Sequence, residues 1–179
     1  ANTLTTYAQP YALSFLGDTT VQQATKLANT GLVTLGDGND DDFTFVEGVV
    51  HNSGATMVGG NISTSNAALS LDTATVLESV LINTGSAAST FNTLILADGI
   101  NLLVTSGAAN FTTIDSATGG SGSISIKATG QVLVTGANGF VGHALCAALA
   151  SSGRFVPVPA VRLNEQSVDD IRTVPVGNI

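Results

Sequence analysis

The amino-acid sequence predicts a mainly β protein, either a β-solenoid or a β-sandwich, with a short C-terminal βαβ-like segment. Between residues 31 and 130, short apolar runs alternate with turns rich in Gly, Asn, Asp and Ser, at a spacing of about 8–12 residues that is typical of all-β folds. The blocks are loosely similar, since residues 81–85 and 103–107 both run from apolar to polar to glycine. An aromatic content of 5% is low for a sandwich core and favours stacked coils. Because no strict period is visible, the sandwich remains the alternative.

The composition narrows the classes of function. The 179 residues are 44% hydrophobic and only 10% charged, with 20 Gly and no Trp, which favours strands and turns over long solvated helices. No run approaches the roughly 18 apolar residues of a transmembrane helix, so no membrane insertion is expected. A formal net charge of −8 makes nucleic acid a poor partner.

The charge is unevenly distributed along the chain. Residues 1–129 carry ten Asp and Glu against Lys26 and Lys127, whereas residues 130–179 balance three acidic with three basic side chains. This asymmetry predicts two parts of different origin that meet near Gly130.

Three regions are therefore expected: an N-terminal cap or donated strand (1–30), a β-rich repeat-like domain (31–130) and a partial Rossmann-like segment (131–179). In the first region, Tyr11, Leu13 and Phe15 alternate after Pro10 and predict an opening strand. Residues 20–28 place apolar side chains on one helical face, which predicts a short helix.

The region from 31 to 130 also carries a family resemblance. Residues 34–40, 79–85 and 96–102 each combine apolar residues with Asn, Asp and Gly at a turn. In this combination of apolar runs and polar turns, the region resembles the passenger segments of bacterial surface adhesins and autotransporters. The resemblance implies a secreted or cell-surface scaffold that binds, coats or assembles, as a homo-oligomer or filament, and has no catalytic centre.

Residues 36–42 (Gly-Asp-Gly-Asn-Asp-Asp-Asp) form the candidate ion site. Closely spaced carboxylates and turn carbonyls suit Ca²⁺, so Asp37, Asp40 and Asp42 are candidate ligands. The run partly matches the calcium-binding nonapeptide repeat, but it stands alone and has Asp42 where that repeat has an apolar residue. An acidic solvated turn is the alternative interpretation. His51 has no second His or Cys at metal-ligand spacing and is interpreted as a surface or turn histidine.

A glycine-rich run marks the start of the C-terminal segment. Residues 132–134 favour a strand, Gly136, Gly139 and Gly142 follow, and residues 143–150 are then compatible with an amphipathic helix. Such a turn can place backbone N–H groups and the helix dipole against a pyrophosphate. The run is similar to the T-G-x-x-G-x-x-G fingerprint of extended short-chain dehydrogenases, the nucleotide-sugar epimerase and dehydratase family.

This resemblance implies NADP or NAD as a cofactor held at the three glycines. Arg162 stands where NADP-preferring members have a base for the 2′-phosphate, and Asn178 stands where the family usually has an Asp that contacts the adenine. A glycine-rich hairpin that continues the β-coil is the alternative. Cys146, the only cysteine in the chain, is interpreted as a small buried apolar residue of the predicted helix.

The segment lacks the catalytic residues of that family. No Tyr follows Tyr11, and Lys127 precedes the glycines, so the Tyr-x-x-x-Lys motif is missing and no proton relay can be built. No catalytic residue is therefore predicted. The sequence favours an extracellular structural or adhesive protein that self-assembles; the alternative is an NAD(P)-binding fragment of an epimerase- or dehydratase-type oxidoreductase.

Overall fold

A computed structural model describes residues 1–116, 122–129, 132–134 and 151. In this part of the chain, fourteen β-strands follow one another. They are β1 (Leu13–Phe15), β2 (Thr19–Val21), β3 (Thr25–Lys26), β4 (Val33–Leu35), β5 (Asp42–Phe45), β6 (Val49–Val58), β7 (Asn61–Thr64), β8 (Leu69–Val76), β9 (Leu81–Asn83), β10 (Ala88–Leu96), β11 (Asn101–Ser106), β12 (Ala108–Ser116), β13 (Ser123–Ala128) and β14 (Val132–Val134).

From β4 onward, successive strands alternate between two sheets. The first sheet has the order β1-β4-β6-β8-β10-β12-β14, with β3 also pairing with β6, and the second has the order β2-β5-β7-β9-β11-β13. Every strand pair is parallel. The fold is a parallel β-solenoid of about six coils, a coil being one complete circuit of the chain. This confirms the prediction of a mainly β protein. The parallel pairing identifies the fold as a solenoid rather than a sandwich, because sandwich sheets of the immunoglobulin type are antiparallel.

The stacking register explains why the sequence shows no strict period. In the first sheet Leu69, Ser89 and Ala109 are aligned, and the interval between them along the chain is constant. In the second sheet Ile62 is aligned with Ile82 at the same interval, but the next interval, from Ile82 to Val104, is longer. Strand residues therefore stay aligned while the connecting turns change length.

The hydrophobic core lies between the two sheets. Inward-facing Val, Leu, Ile and Phe side chains alternate with outward-facing polar ones, as the period of two in a strand requires. The largest of the fully buried side chains are Phe43, Phe45, Phe91 and Phe111.

Two local predictions for the N-terminal region have different outcomes. The opening strand is present as β1, beginning at Leu13 rather than Tyr11. The predicted helix over residues 20–28 is wrong, because this part of the chain contains the strands β2 (Thr19–Val21) and β3 (Thr25–Lys26). Their backbone groups bond to the next coil, with the Val46 amide donating to the Val21 carbonyl (2.9 Å) and the Thr25 amide to the Gly48 carbonyl (3.1 Å). Pairing with a neighbouring coil thus outweighs a weak helical pattern.

Residues 1–9 lie alongside the first coil of their own chain. The amides of Gln22 and Gln23 donate to the carbonyls of Ala1 (3.2 Å) and Asn2 (3.0 Å). Thr5 forms an isolated parallel bridge with Lys26. The N-terminal segment therefore supplies an additional layer outside β2 and β3.

At the other end, β14 continues the first sheet. Val132–Val134 pairs in parallel with residues 109–111 of β12. The strand predicted immediately before the glycine turn is present, and it adds to the solenoid. The rest of the predicted βαβ-like segment lies outside the described residues, apart from Ser151.

Candidate functional site

Residues 36–41 of the acidic run form the turn between β4 and β5, and Asp42 is the first residue of β5. Within it, the Oδ2 atom of Asp41 accepts hydrogen bonds from the amides of Asp37 (2.9 Å) and Gly38 (3.3 Å). The carboxylate of Asp41 therefore closes its own turn, in the manner of Asx side chains that bond to nearby backbone.

Asp42 belongs to a polar column that crosses successive coils. Its amide donates to Oδ1 of Asp18 in the preceding coil (2.9 Å), and its own Oδ1 accepts from Nδ2 of Asn61 in the following coil (3.1 Å). Oδ1 of Asn61 in turn accepts from the amide of Leu81 (2.9 Å). These bonds join four coils at the N-terminal ends of the strands of the second sheet.

The described residues contain no group of three or more His, Cys, Asp and Glu side chains that could hold a metal ion. Asp37 and Asp40 are exposed, and the Asp42 carboxylate bonds to Asn61. The geometry is that of an acidic turn fastened by its own hydrogen bonds. Ligation of Ca²⁺ by Asp37, Asp40 and Asp42 stays a prediction.

The interpretation of His51 as a surface histidine is wrong. Its side chain is 0% exposed and faces inward in β6, in register with Leu71. Nε2 lies 3.1 Å from the carbonyl oxygen of Asn29, and Nδ1 lies 2.8 Å from Oγ1 of Thr56. Because a carbonyl can only accept, Nε2 donates to the Asn29 carbonyl, and Nδ1 is paired with the Thr56 hydroxyl. His51 is two positions after Val49, which is also buried, so strand alternation was the signal that would have placed it inside.

The predicted cofactor residues Gly136, Gly139, Gly142, Arg162 and Asn178 lie outside the described residues. Their role in binding NADP or NAD stays a prediction. The structure does describe the strand that precedes them, as a member of the first sheet.

The outward face of the first sheet carries aligned columns of polar side chains. Thr73, Thr93 and Thr113 occupy one column, each in register with the next. A second column holds Ser70, Thr90 and Asn110, and Nδ2 of Asn110 donates to Oγ1 of Thr90 (3.3 Å). These columns present hydroxyl and amide groups with little charge, at the strand spacing of about 4.7–4.9 Å.

Comparison of the chain with family models, curated proteins and solved structures gave no match. The resemblances to surface adhesins and to extended short-chain dehydrogenases therefore rest on the sequence features alone. Among the described residues, no helix is sufficiently long and apolar to cross a membrane.

Proposed function

We propose that this chain is an extracellular or cell-surface structural or adhesive protein that self-associates and has no catalytic activity. The observation that carries the proposal is the polar columns on the outer face of the solenoid, above all the aligned Thr73, Thr93 and Thr113. The resemblance of residues 31–130 to adhesin passenger segments supports the surface location.

The columns suit a partner that is itself repetitive. A single exposed threonine makes a weak contact, but contacts repeated on a rigid scaffold add as in multivalent binding. A second copy of the chain is such a partner, because it presents the same spacing. Threonine also has few side-chain torsions to immobilise, so its ordering at an interface costs little entropy.

Self-association is tested by light scattering of the purified chain over a wide range of concentrations. We expect particle mass to rise with concentration. Replacing Thr73, Thr93 and Thr113 together by Asp introduces like charges at the strand spacing and is expected to suppress assembly. The matched control places Asp at Ser63, Asn83 and Thr105, which are in register on the outward face of the second sheet. A monodisperse monomer at every concentration, or equal loss of assembly in both variants, would contradict the proposed role of this face.

Calorimetric titration with NADPH and NAD⁺ distinguishes the proposed function from the alternative, an NAD(P)-binding fragment. Under the proposed function neither cofactor produces heat of binding. Micromolar binding that is lost in Gly139→Val would instead support a formed cofactor site at the glycine turn.

A further inference from the structure

Two buried side-chain atoms have no hydrogen-bond partner among the described residues: Oδ1 of Asn29 and Oγ of Ser106. Both side chains are 0% exposed. Buried polar atoms in folded proteins are almost always paired, either with the protein or with an ordered water molecule. The backbone around the two atoms differs, and this difference decides which of them a water molecule can reach.

The orientation of the Asn29 amide is determined by its hydrogen bonds. Nδ2 donates to the carbonyl oxygens of Tyr11 (3.2 Å) and Gly31 (3.1 Å). Because a carbonyl can only accept, flipping the amide would place Oδ1 against two acceptors. The backbone carbonyl of Asn29 is already paired with the ring of His51 and the hydroxyl of Ser53. Oδ1 is therefore the atom that still requires a donor.

Asn29 lies where the coils contain additional residues. Lys26, Val50 and Ser70 are aligned across three successive coils, and so are Val33, Thr56 and Ala74. Between these aligned positions the chain runs through residues 27–32 in the coil of Asn29, 51–55 in the next coil and 71–73 in the third. In β6 the additional residues form a β-bulge.

The two longer coils have a polar interior at this point. Asn29 and His51 are 0% exposed and Thr56 is 1% exposed, so all three side chains face the inside of the solenoid. In the third coil the interior is apolar again, with Leu71 and Ala74 buried. The additional backbone thus coincides with the buried polar side chains, which indicates a wider and more polar interior than in the later coils.

Ser106 lies at a turn where the chain is shortened instead. Asn83 is aligned with Thr105, and Ser89 with Ala109. Between them the chain runs through residues 84–88 in one coil but only 106–108 in the next. This shorter turn is closely packed, because a Cβ atom on Gly107 would lie 1.9 Å from the carbonyl oxygen of Ser86. The backbone at Ser106 leaves little space for a further molecule.

We infer that the widened interior binds a water molecule that donates a hydrogen bond to Oδ1 of Asn29. A buried water molecule needs several polar partners, and this part of the interior is lined by polar groups. The hydrogen-bond partners of Asn29 in the described part of the chain are carbonyls, a hydroxyl and an imidazole. No carboxylate is among them to balance a cation, so a neutral donor is the ligand that fits. Ser106 binds no water.

The first test is nuclear magnetic resonance of the isotope-labelled wild-type protein. We expect the side-chain amide protons of Asn29 to show Overhauser cross-peaks to water, with the sign of a long-lived bound molecule. Rotating-frame spectra separate these cross-peaks from hydrogen exchange, because the two effects have opposite signs there. An assigned Asn29 amide without such a cross-peak would overturn the inference.

The second test counts long-lived water molecules by magnetic relaxation dispersion. Asn29→Leu removes the acceptor and should lower the dispersion amplitude by the contribution of one water molecule. The matched control, Ser106→Ala, removes the other unpaired atom and should leave the amplitude unchanged. An unchanged amplitude in a folded Asn29→Leu, or an equal decrease in both variants, would overturn the inference. If Asn29→Leu does not fold, the wild-type cross-peak decides.

A cation at the same position is distinguished by exchanging the salt. Replacing sodium and potassium by choline should leave the melting temperature of the wild type unchanged. A decrease that occurs in the wild type and not in Asn29→Leu would identify a bound cation and overturn the assignment to water.

Discussion

The aromatic rings of Phe91 and Phe111 stack with their centroids 5.4 Å apart and their planes inclined by 6°. The two residues are in register on β10 and β12, and both are buried in the core. Parallel strands in register place like residues above one another, so a large inward side chain repeated one coil later stacks on its counterpart. Stacking of the two rings therefore stabilises the in-register alignment of neighbouring coils.

Phe91→Ala should strongly destabilise the solenoid. The substitution leaves a cavity beneath Phe111 and removes the ring contact, and we expect the free energy of unfolding to fall by about 3–5 kcal/mol. Urea unfolding followed by circular dichroism measures the change. Thr93→Ala, on the outward face of the same strand, is the control and should cost less than about 0.5 kcal/mol. Similar losses in the two variants would show that Phe91 is not part of a packed core.

Ser106→Ala should leave the protein as stable or make it more stable. The Ser106 hydroxyl is 0% exposed and has no hydrogen-bond partner among the described residues, so its burial carries an uncompensated cost of about 1–3 kcal/mol. Ser89 is the matched control, since it is equally buried but its hydroxyl lies 3.1 Å from that of Thr84. Thermal melts should therefore move in opposite directions, upward for Ser106→Ala and downward for Ser89→Ala. A decrease of equal size in both would mean that Ser106 is hydrogen-bonded in solution.

Much of this fold could be predicted from local pattern. Alternating runs such as 69–71 and 124–126 are strands in the structure, with the apolar residues inward. The pairing of the strands was harder to predict from the sequence, because turns of unequal length conceal the register. In the second sheet, the chain from Phe43 to its partner Ile62 is shorter than the chain from Ile82 to its partner Val104. Local pattern also failed where pairing between coils decides the structure, as in β2 and β3.

The polar interior was the other feature that local pattern missed. His51 carries no hydrophobic signal of its own, and its burial depends on an acceptor, the Asn29 carbonyl, that belongs to the preceding coil. The hydrogen bonds of the acidic turn were also not visible in the local pattern. Its carboxylates are close in sequence, but Asp41 bonds to its own turn and Asp42 to a neighbouring coil. Ligation of Ca²⁺ by Asp37, Asp40 and Asp42 stays a prediction.

His51→Phe should destabilise the protein even though the ring fits a column that already contains Phe91 and Phe111. The substitution removes one of the two hydrogen bonds to the Asn29 carbonyl, which also accepts from the Ser53 hydroxyl (2.8 Å), and it leaves the buried Thr56 hydroxyl without its partner. We expect a loss of about 1–3 kcal/mol. Adding Thr56→Val removes the unpaired hydroxyl and should restore about 1 kcal/mol. Urea unfolding of both single variants and the double variant gives the coupling free energy between His51 and Thr56. Additive losses would show that the hydrogen bond between His51 and Thr56 does not form in solution.

Gly107→Ala should disrupt the stacking of two neighbouring coils. Gly107 lies between β11 and β12, and a Cβ atom there would overlap the carbonyl oxygen of Ser86 in the coil beneath. Because that obstacle is backbone, no side-chain rotation relieves it, and we expect a loss of at least about 1–3 kcal/mol. Gly17→Ala is the matched control, since its Cβ would meet no heavy atom within 4 Å, and the lower entropy of the unfolded chain should raise stability by about 0.4–1 kcal/mol. Opposite shifts of the two melting temperatures are expected. A neutral Gly107→Ala would show that the coils are not as closely stacked at this turn as the structure places them.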